Sequence, residues 1–234
     1  MSFQAKTDYF GLSTGSGSTF VITDSSENKS AQVATGQDEK GDVVAYEVFG
    51  EEMSPACSYV ISADSTLGTI KIGEAITVTG INDKKFTITS VAISTAAGSP
   101  PKIDVGGSQI PNTVTHTDCT YTIPAATLEV CHHAQILWSA FTLGGTGCYL
   151  TQANYTASGD LTRATKDGNT ISFDIANGQL VANITIQQTG NTEPTVTAGT
   201  GWVITSPLTK TDSDASLPSW TCTISKYLTH DSQA

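Results

Sequence analysis

The sequence predicts an all-β fold built from antiparallel strands, and three observations lead to this prediction. The chain has 234 residues, of which 37 are Thr, 24 are Ser and 21 are Gly. Threonine at this level suits half-exposed strands better than long solvated helices. Several segments alternate apolar and polar residues with the period of two that a strand with one buried face requires. Asn-Gly and Asp-Gly pairs, which favour tight turns, lie between such segments.

The clearest alternation covers residues 170–188. Apolar residues occupy every second position both before and after Asn177 and Gly178, so we expect a hairpin with a type I′-like turn at this pair. Further turns are expected at 158–160 and at Asp167-Gly168. Together these signals predict a four-stranded antiparallel meander over residues 148–188.

Other segments predict shorter strands. Alternation of Trp220, Cys222 and Ile224 with polar residues predicts a closing strand near the C-terminus. Along 85–94 the apolar face switches sides, which indicates a β-bulge near Ser90. The remaining expected strands are 20–23, 42–48, 59–63, 69–72, 75–79 and 102–105.

The distribution of charge and turns predicts three regions. Residues 1–63 form an N-terminal arm and the first strands of the main β domain, and residues 119–234 complete that domain. Residues 64–118 have a turn set of their own and little net charge, so we interpret them as a small inserted β subdomain.

One segment favours a helix. Residues 131–142 place Ala134, Leu137, Trp138 and Phe141 at helical spacing, and Gly144 and Gly145 follow as a stop signal. A buried apolar strand fits the same residues, so both interpretations stay open.

The charge balance argues against a protein that reads nucleic acid. Asp and Glu number 22 against 11 Lys and Arg, and the formal net charge is -11. Contact with the phosphate backbone requires clustered cationic side chains, whereas Arg163 is the single arginine. Residues 1–52 hold nine of the acids and three lysines. A solvated face is the plain interpretation of such a run, and a surface that repels polyanions is the alternative.

Cysteine usage and the absence of targeting signals predict a protein made in the cytoplasm. The five cysteines are odd in number and widely spaced, which indicates buried thiols in a reducing compartment rather than a disulfide framework. Residues 1–6 lack the basic-then-apolar order of a secretory signal. No apolar stretch is long enough to cross a bilayer, so we expect no membrane contact.

No motif predicts catalysis, a metal or a cofactor. Residues 11–15 match the G-x-S-x-G pattern, but polar linker residues surround them instead of a strand and a helix. His132 and His133 follow Cys131, with two further cysteines in the neighbourhood. Adjacent residues of a strand point to opposite faces, so core thiols are favoured over a zinc site. We therefore expect a protein that is not an enzyme and needs no cofactor.

Two C-terminal runs carry a family resemblance. Residues 201–208 read GWVITSPL and residues 216–224 read SLPSWTCTI. With the expected meander before them, they resemble the closing strands of bacteriophage virion proteins, and in overall plan the chain is most similar to tail tube proteins. The resemblance implies a β-sandwich or partly open barrel with one short helix, in which 131–142 is the helix and 64–118 is the insertion.

The resemblance also implies a function. Copies of such a protein form hexameric rings that stack into a hollow tube in the virion, after synthesis in the host bacterial cytoplasm. Its partners would be further copies of itself and other tail proteins, and DNA would pass through without sequence-specific binding. Because carboxylates repel phosphates, we hypothesise that some of six acids line the lumen or an inter-ring contact. These acids are Asp38, Glu39, Asp42, Glu47, Glu51 and Glu52.

Two other functions remain open. The first is a capsid decoration or head-fibre protein, which is also β-rich and acidic. The second is a surface-binding module, an adhesin or a carbohydrate-binding domain, that uses exposed aromatic residues such as Trp138, Trp202 or Trp220. For these tryptophans a core position is the default expectation, because each lies in or beside an apolar alternation.

Overall fold

A computed structural model describes residues 19–78, 81–110, 120–130, 133–166, 169–213 and 216–231. Nearly all of its regular structure is β-strand. The strands in chain order are β1 (Phe20–Gln37), β2 (Val43–Ile61), β3 (Ser65–Leu67), β4 (Ile70–Ile72), β5 (Ala75–Val78), β6 (Ile81–Ala96), β7 (Ser99–Ile110), β8 (Tyr121–Ile123), β9 (Ala126–Leu128), β10 (Phe141–Gly144), β11 (Cys148–Lys166), β12 (Asn169–Gln188), β13 (Thr195–Ala198), β14 (Val203–Ser213) and β15 (Ser216–Tyr227).

The strands form one large antiparallel sheet and three small ones. The large sheet runs in the order β1, β2, β7, β6, β11, β12, β15, β14, and β5 pairs with β6 beside this path. The small sheets pair β3 with β9, β4 with β8 and β10 with β13. Strands β1 and β14 are the two edges of the large sheet, which is not closed into a barrel. Residues of all three small sheets join its inner face in one hydrophobic core, so the predicted all-β antiparallel fold is confirmed.

The period-two pattern explains which residues enter this core. On β15, Trp220, Cys222 and Ile224 are buried and the residues between them are not, so the predicted closing strand is confirmed. The pairing of β6 with β7 shifts register between Ile88 and Ser90. This shift confirms the predicted bulge, which is where the apolar face of β6 changes sides.

The helix predicted over 131–142 is wrong. Residues 131 and 132 lie outside the described residues, and the others form an irregular segment that leads into β10. Its backbone becomes left-handed at Trp138 and Ser139, with φ of 53° and 50°. The Tyr155 hydroxyl replaces helical hydrogen bonds, because it accepts from the N–H of Leu137 at 3.0 Å and donates to the carbonyl two residues earlier at 2.9 Å. Elsewhere too, no helix among the described residues has the length and apolar character to span a membrane.

The four-stranded meander predicted over 148–188 is also wrong. Strands β11 and β12 each run through the positions where turns were expected and pair along almost their whole length. At Asn177, whose φ is 53°, the register shifts by one residue because Gly159 faces two residues of β12. The Asn-Gly pair therefore forms a β-bulge and not a turn. The turn expected at Asp167-Gly168 lies outside the described residues, and its neighbours Lys166 and Asn169 pair with each other.

Gly178 has a packing role that predicts a stability effect. A Cβ atom at this position would overlap the ring of Tyr121, so G178A must displace the ring or the strand. We expect a loss of about 1–3 kcal/mol in the free energy of unfolding, the usual cost of overpacking a core. Urea denaturation measures it, with G68A as control because nothing lies within 4 Å of a Cβ there. Equal stability of the two variants would contradict the role assigned to Gly178.

The segment 64–118 is integrated into the rest of the molecule. Its strands β6 and β7 lie between β2 and β11 in the large sheet, and its strands β3 and β4 pair with β9 and β8. The described strands of this segment therefore form no separate sheet. The division of the chain at 63/64 and 118/119 stays a prediction.

Candidate assembly surface

A two-stranded arm, residues 30–52 of β1 and β2, projects beyond the sheet. Strand β2 pairs with β7 only up to Ala56. The next residue outward is Pro55, which has no N–H to donate to a neighbouring strand. Further out, β1 and β2 pair with each other and with no other described strand. The β1 part of the arm, residues 30–37, is about 26 Å long at the usual rise of a strand.

One face of the arm is apolar and exposed. All described side chains from 30 to 47 are exposed, and the exposed fractions of Val33, Val44 and Tyr46 are 59%, 66% and 76%. Thr35 pairs with Tyr46, and residues two apart on a strand share a face, so the three apolar side chains form one strip. Exposed apolar strips of this kind mark interaction sites. A ribbon of two strands is only marginally stable in water, so a partner on this strip would stabilise the arm.

The tip of the arm is an ordered turn. Oδ1 of Asp38 accepts hydrogen bonds from the N–H of Lys40 at 2.9 Å and from the N–H of Asp42 at 3.0 Å. Gly41 has a φ of 87°, a conformation that glycine adopts without strain. The turn therefore presents its carboxylates at the far end of the arm.

Arg163, on the outer half of β11, holds the base of the arm, near the point where β2 leaves β7; we call this base the root. The Arg163 guanidinium forms an ion pair with Glu52 of β2 and donates a hydrogen bond of 2.6 Å to the Ser108 hydroxyl on β7. The neighbouring Met53 is buried in the core. We call the Arg163–Glu52 contact the root ion pair.

The six acids predicted to line a lumen or an inter-ring contact are spread along the arm. Asp38, Glu39 and Asp42 lie at the tip, and Glu47 lies between the tip and the root, where it pairs with Ala34. Glu51 belongs to β2, but its side chain is outside what the structure describes. Glu52 is engaged in the root ion pair. The lumen role stays a prediction, and the structure does not gather the six acids into one site.

A shallow groove of about 290 Å³ crosses the outer face of the large sheet. Asp24, Ser58 and Asp104 lie in register across three strands at its side. The Asp104 carboxylate accepts a hydrogen bond from the Ser58 hydroxyl and pairs with Lys102 at 3.0 Å. Because this carboxylate is already engaged, the groove offers no evident acid–base pair. Within the described ranges, no three His, Cys, Asp or Glu side chains converge on a metal position.

Cysteines and tryptophans mostly follow their predicted burial. Cys57 and Cys222 are buried thiols that form no disulfide, and burial raises the pKa of the Cys222 thiol. Trp202 and Trp220 are only 6% and 8% exposed, as their default core positions predicted. Cys131 and His132, where a core thiol was favoured over a zinc site, lie outside the described residues, as does the neighbouring Cys119.

Sequence reasoning missed both the length of the arm and its anchor. It predicted strands only over 20–23 and 42–48, because residues 24–32 are almost all polar and show no apolar alternation. Arg163 appeared only as the single arginine of the chain. The one signal for it was that a lone arginine lies among 22 carboxylates.

No protein-family model matches this chain, and no curated protein matches it.

Proposed function

We propose that this chain is a structural subunit of a phage virion that joins further copies of itself into stacked hexameric rings, forming a tail tube through which DNA passes. The observation that carries this proposal is the projecting arm with its apolar strip. The other tail proteins of the virion would be its remaining partners, and host cytoplasm would be the site of synthesis.

The geometry of the arm supports a role in self-assembly. No described residue of the subunit covers the strip of Val33, Val44 and Tyr46, since all three side chains are exposed. A ring or stack of copies provides each arm with the same neighbouring surface, so that one sequence feature satisfies every subunit. The arm reaches well beyond the rest of the described subunit, which we call the body. This reach suits contact between adjacent subunits or adjacent rings.

The two sheet edges contribute unequally to the proposed contacts. Strand β14 carries Pro207, whereas β1 contains no proline, and each strand shifts register three times against its neighbour. A proline on an edge strand keeps that edge from pairing with other chains. Strand β1 is also the longer edge, and none of the other described strands pairs with its outer side. We therefore assign the assembly contacts to β1 and the arm rather than to β14.

The charge of the chain supports passage of DNA without retention. A formal charge of -11 creates a field that repels phosphates, whereas DNA-binding surfaces are cationic. The three carboxylates at the arm tip are exposed, so they are available to face a neighbouring subunit or a lumen. A map of the assembled particle would show which of the two they face.

Electron microscopy of the purified protein tests the proposal against its alternatives. We expect negative-stain images to contain rings of six-fold symmetry or stacked tubes. Trimers that bind empty capsids would instead indicate a capsid decoration or head-fibre protein. A monomer retained on a glycan array would indicate a surface-binding module, although the two buried tryptophans, Trp202 and Trp220, could not serve as its platform. Either of these last results would contradict the tube.

A further inference from the structure

The arm and one other hairpin leave the large sheet at the same level. Ala56, Gly106, Ser90 and Ser158 form one register row across β2, β7, β6 and β11. Beyond this row β2 loses its pairing with β7, and β11 loses its pairing with β6. Because neighbouring strands are antiparallel, the arm and the outer β11–β12 hairpin extend from the same end of the sheet. Strands β6 and β7 continue between them as far as Ile110.

Arg163 connects these three projecting parts. It lies on the outer β11–β12 hairpin, ion-pairs with Glu52 of the arm and donates to Ser108 of β7. Its cross-strand neighbour Phe173 is buried, and paired residues share a face. The arginine stem is therefore held against the body while the guanidinium reaches the arm.

The root ion pair differs from two other ion pairs on the large sheet. Lys102–Asp104 and Lys210–Asp212 each join residues two apart on a single strand, and their side chains are well exposed. Arg163 and Glu52 lie on different hairpins, and the arginine side chain is only 18% exposed. Exposed pairs contribute little, whereas a partly buried arginine that also holds a neutral hydroxyl makes stronger, directed hydrogen bonds.

We propose that Arg163 is a positioning residue that fixes the arm to the body through Glu52 and so sets the direction in which the arm reaches its partner. The consequence for assembly rests on the proposed function, but the attachment itself is a property of the single subunit. Without it, the outer part of β2 keeps the burial of Met53 and Pro55 and its pairing with β1. Because a ribbon of two strands is only marginally stable in water, the released arm opens more often and samples a range of directions.

Hydrogen–deuterium exchange of the arm amides tests this inference. We expect exchange in residues 30–52 to become about ten-fold faster in R163Q and E52Q, because hydrogen bonds to charged groups contribute enough for a change of this size. The body amides should keep their rates. K102Q is the matched control, since it removes an ion pair from the same sheet without touching the arm. All proteins are compared in the same oligomeric state.

Charge exchange separates positioning from general packing. The double variant R163E/E52R restores an ion pair of reversed polarity and should recover part of the slow exchange, although it loses the hydrogen bond to Ser108. R163K should protect the arm amides less than the wild-type arginine does, because an ammonium lacks the rigid planar set of donors with which a guanidinium holds two partners at fixed angles. A purely structural role of the arginine stem predicts no rescue by the charge exchange.

Each outcome decides one question. Unchanged arm exchange in both R163Q and E52Q would overturn the inference. If R163Q loosens the whole protein, E52Q alone decides, because Glu52 lies on the arm and is partly exposed. If the arm loosens but rings still form with wild-type efficiency, the positioning role stands and the proposed role of the arm in assembly fails.

Discussion

The variant V44S/Y46S should remain monomeric at concentrations where the wild-type protein forms rings. Each substitution removes an apolar side chain that we expect to be buried against a neighbouring subunit. Burial of one such side chain contributes about 1.5–3 kcal/mol, so the loss at one contact is about 3–6 kcal/mol. An association constant falls about tenfold for every 1.4 kcal/mol, which makes the expected weakening at least about a hundredfold. Mass photometry or sedimentation velocity measures it.

A matched pair of exposed residues on the body provides the control. V130S/Y149S also replaces an exposed valine and an exposed tyrosine, whose exposed fractions are 44% and 60%. These residues lie outside the arm and outside both edge strands. Assembly of this control should equal that of wild type. Loss of assembly in both variants, or in neither, would contradict a specific role for the apolar strip.

The second large effect is expected at Tyr155. Its side chain is 1% exposed, and its hydroxyl binds the N–H of Leu137 and the carbonyl of Gln135. The variant Y155F leaves both backbone groups without this partner, and an unsatisfied buried polar group costs about 1–3 kcal/mol. We expect a loss of about 2–4 kcal/mol in the free energy of unfolding by urea. Y149F is the control and should change stability by less than about 0.5 kcal/mol, because surface substitutions usually do.

The titration of Tyr155 adds a pH dependence to the same measurement. Burial raises the pKa of Tyr155 from 10.0 to about 12, and the hydrogen bond from Leu137 opposes this shift in part. Between these two pH values the Tyr155 hydroxyl loses its proton in the unfolded chain but keeps it in the folded chain. The contribution of Tyr155 to the free energy of unfolding is therefore fully present below about pH 10 and declines as the pH rises towards 12. Y155F should show a shallower decline over this window, and an identical slope would contradict the assignment.

The sequence predicted the strands whose two faces differ in burial. The alternation of Trp220, Cys222 and Ile224 follows directly from the packing of β15, since residues two apart share a face. The bulge at Ser90 was predictable for the same reason, because it interrupts that pattern. These signals are local, and each is decided by residues close together in the chain.

Contacts between distant residues decided the elements that the sequence did not predict. Asn177 and Gly178 suit a hairpin turn, but Tyr121 covers the glycine and β11 continues opposite it, so the pair forms a bulge. The apolar spacing of 131–142 suits a helix, yet the hydroxyl of Tyr155 binds the backbone there. Neither distant partner is visible in the local pattern.

The candidate site was only partly predictable for a related reason. The acids of residues 38–52 were evident from composition, but composition does not show that Asp38 orders a turn or that Glu52 pairs with Arg163, which is 111 residues away in the chain. The described side chains of the arm are exposed over most of its length. Strand β1 is almost entirely polar over residues 24–32, so it lacks the apolar alternation on which strand prediction depends.

The most direct test of the central claim is to identify what the arm touches in the assembled particle. A photo-crosslinking amino acid replaces Tyr46 in ¹⁵N-labelled and unlabelled subunits, which are mixed as monomers, allowed to assemble, irradiated and analysed by mass spectrometry. We predict crosslinks that join labelled with unlabelled chains, from position 46 to the body of another copy. Crosslinks confined to single chains, in particles that have assembled, would contradict an assembly built through the arm.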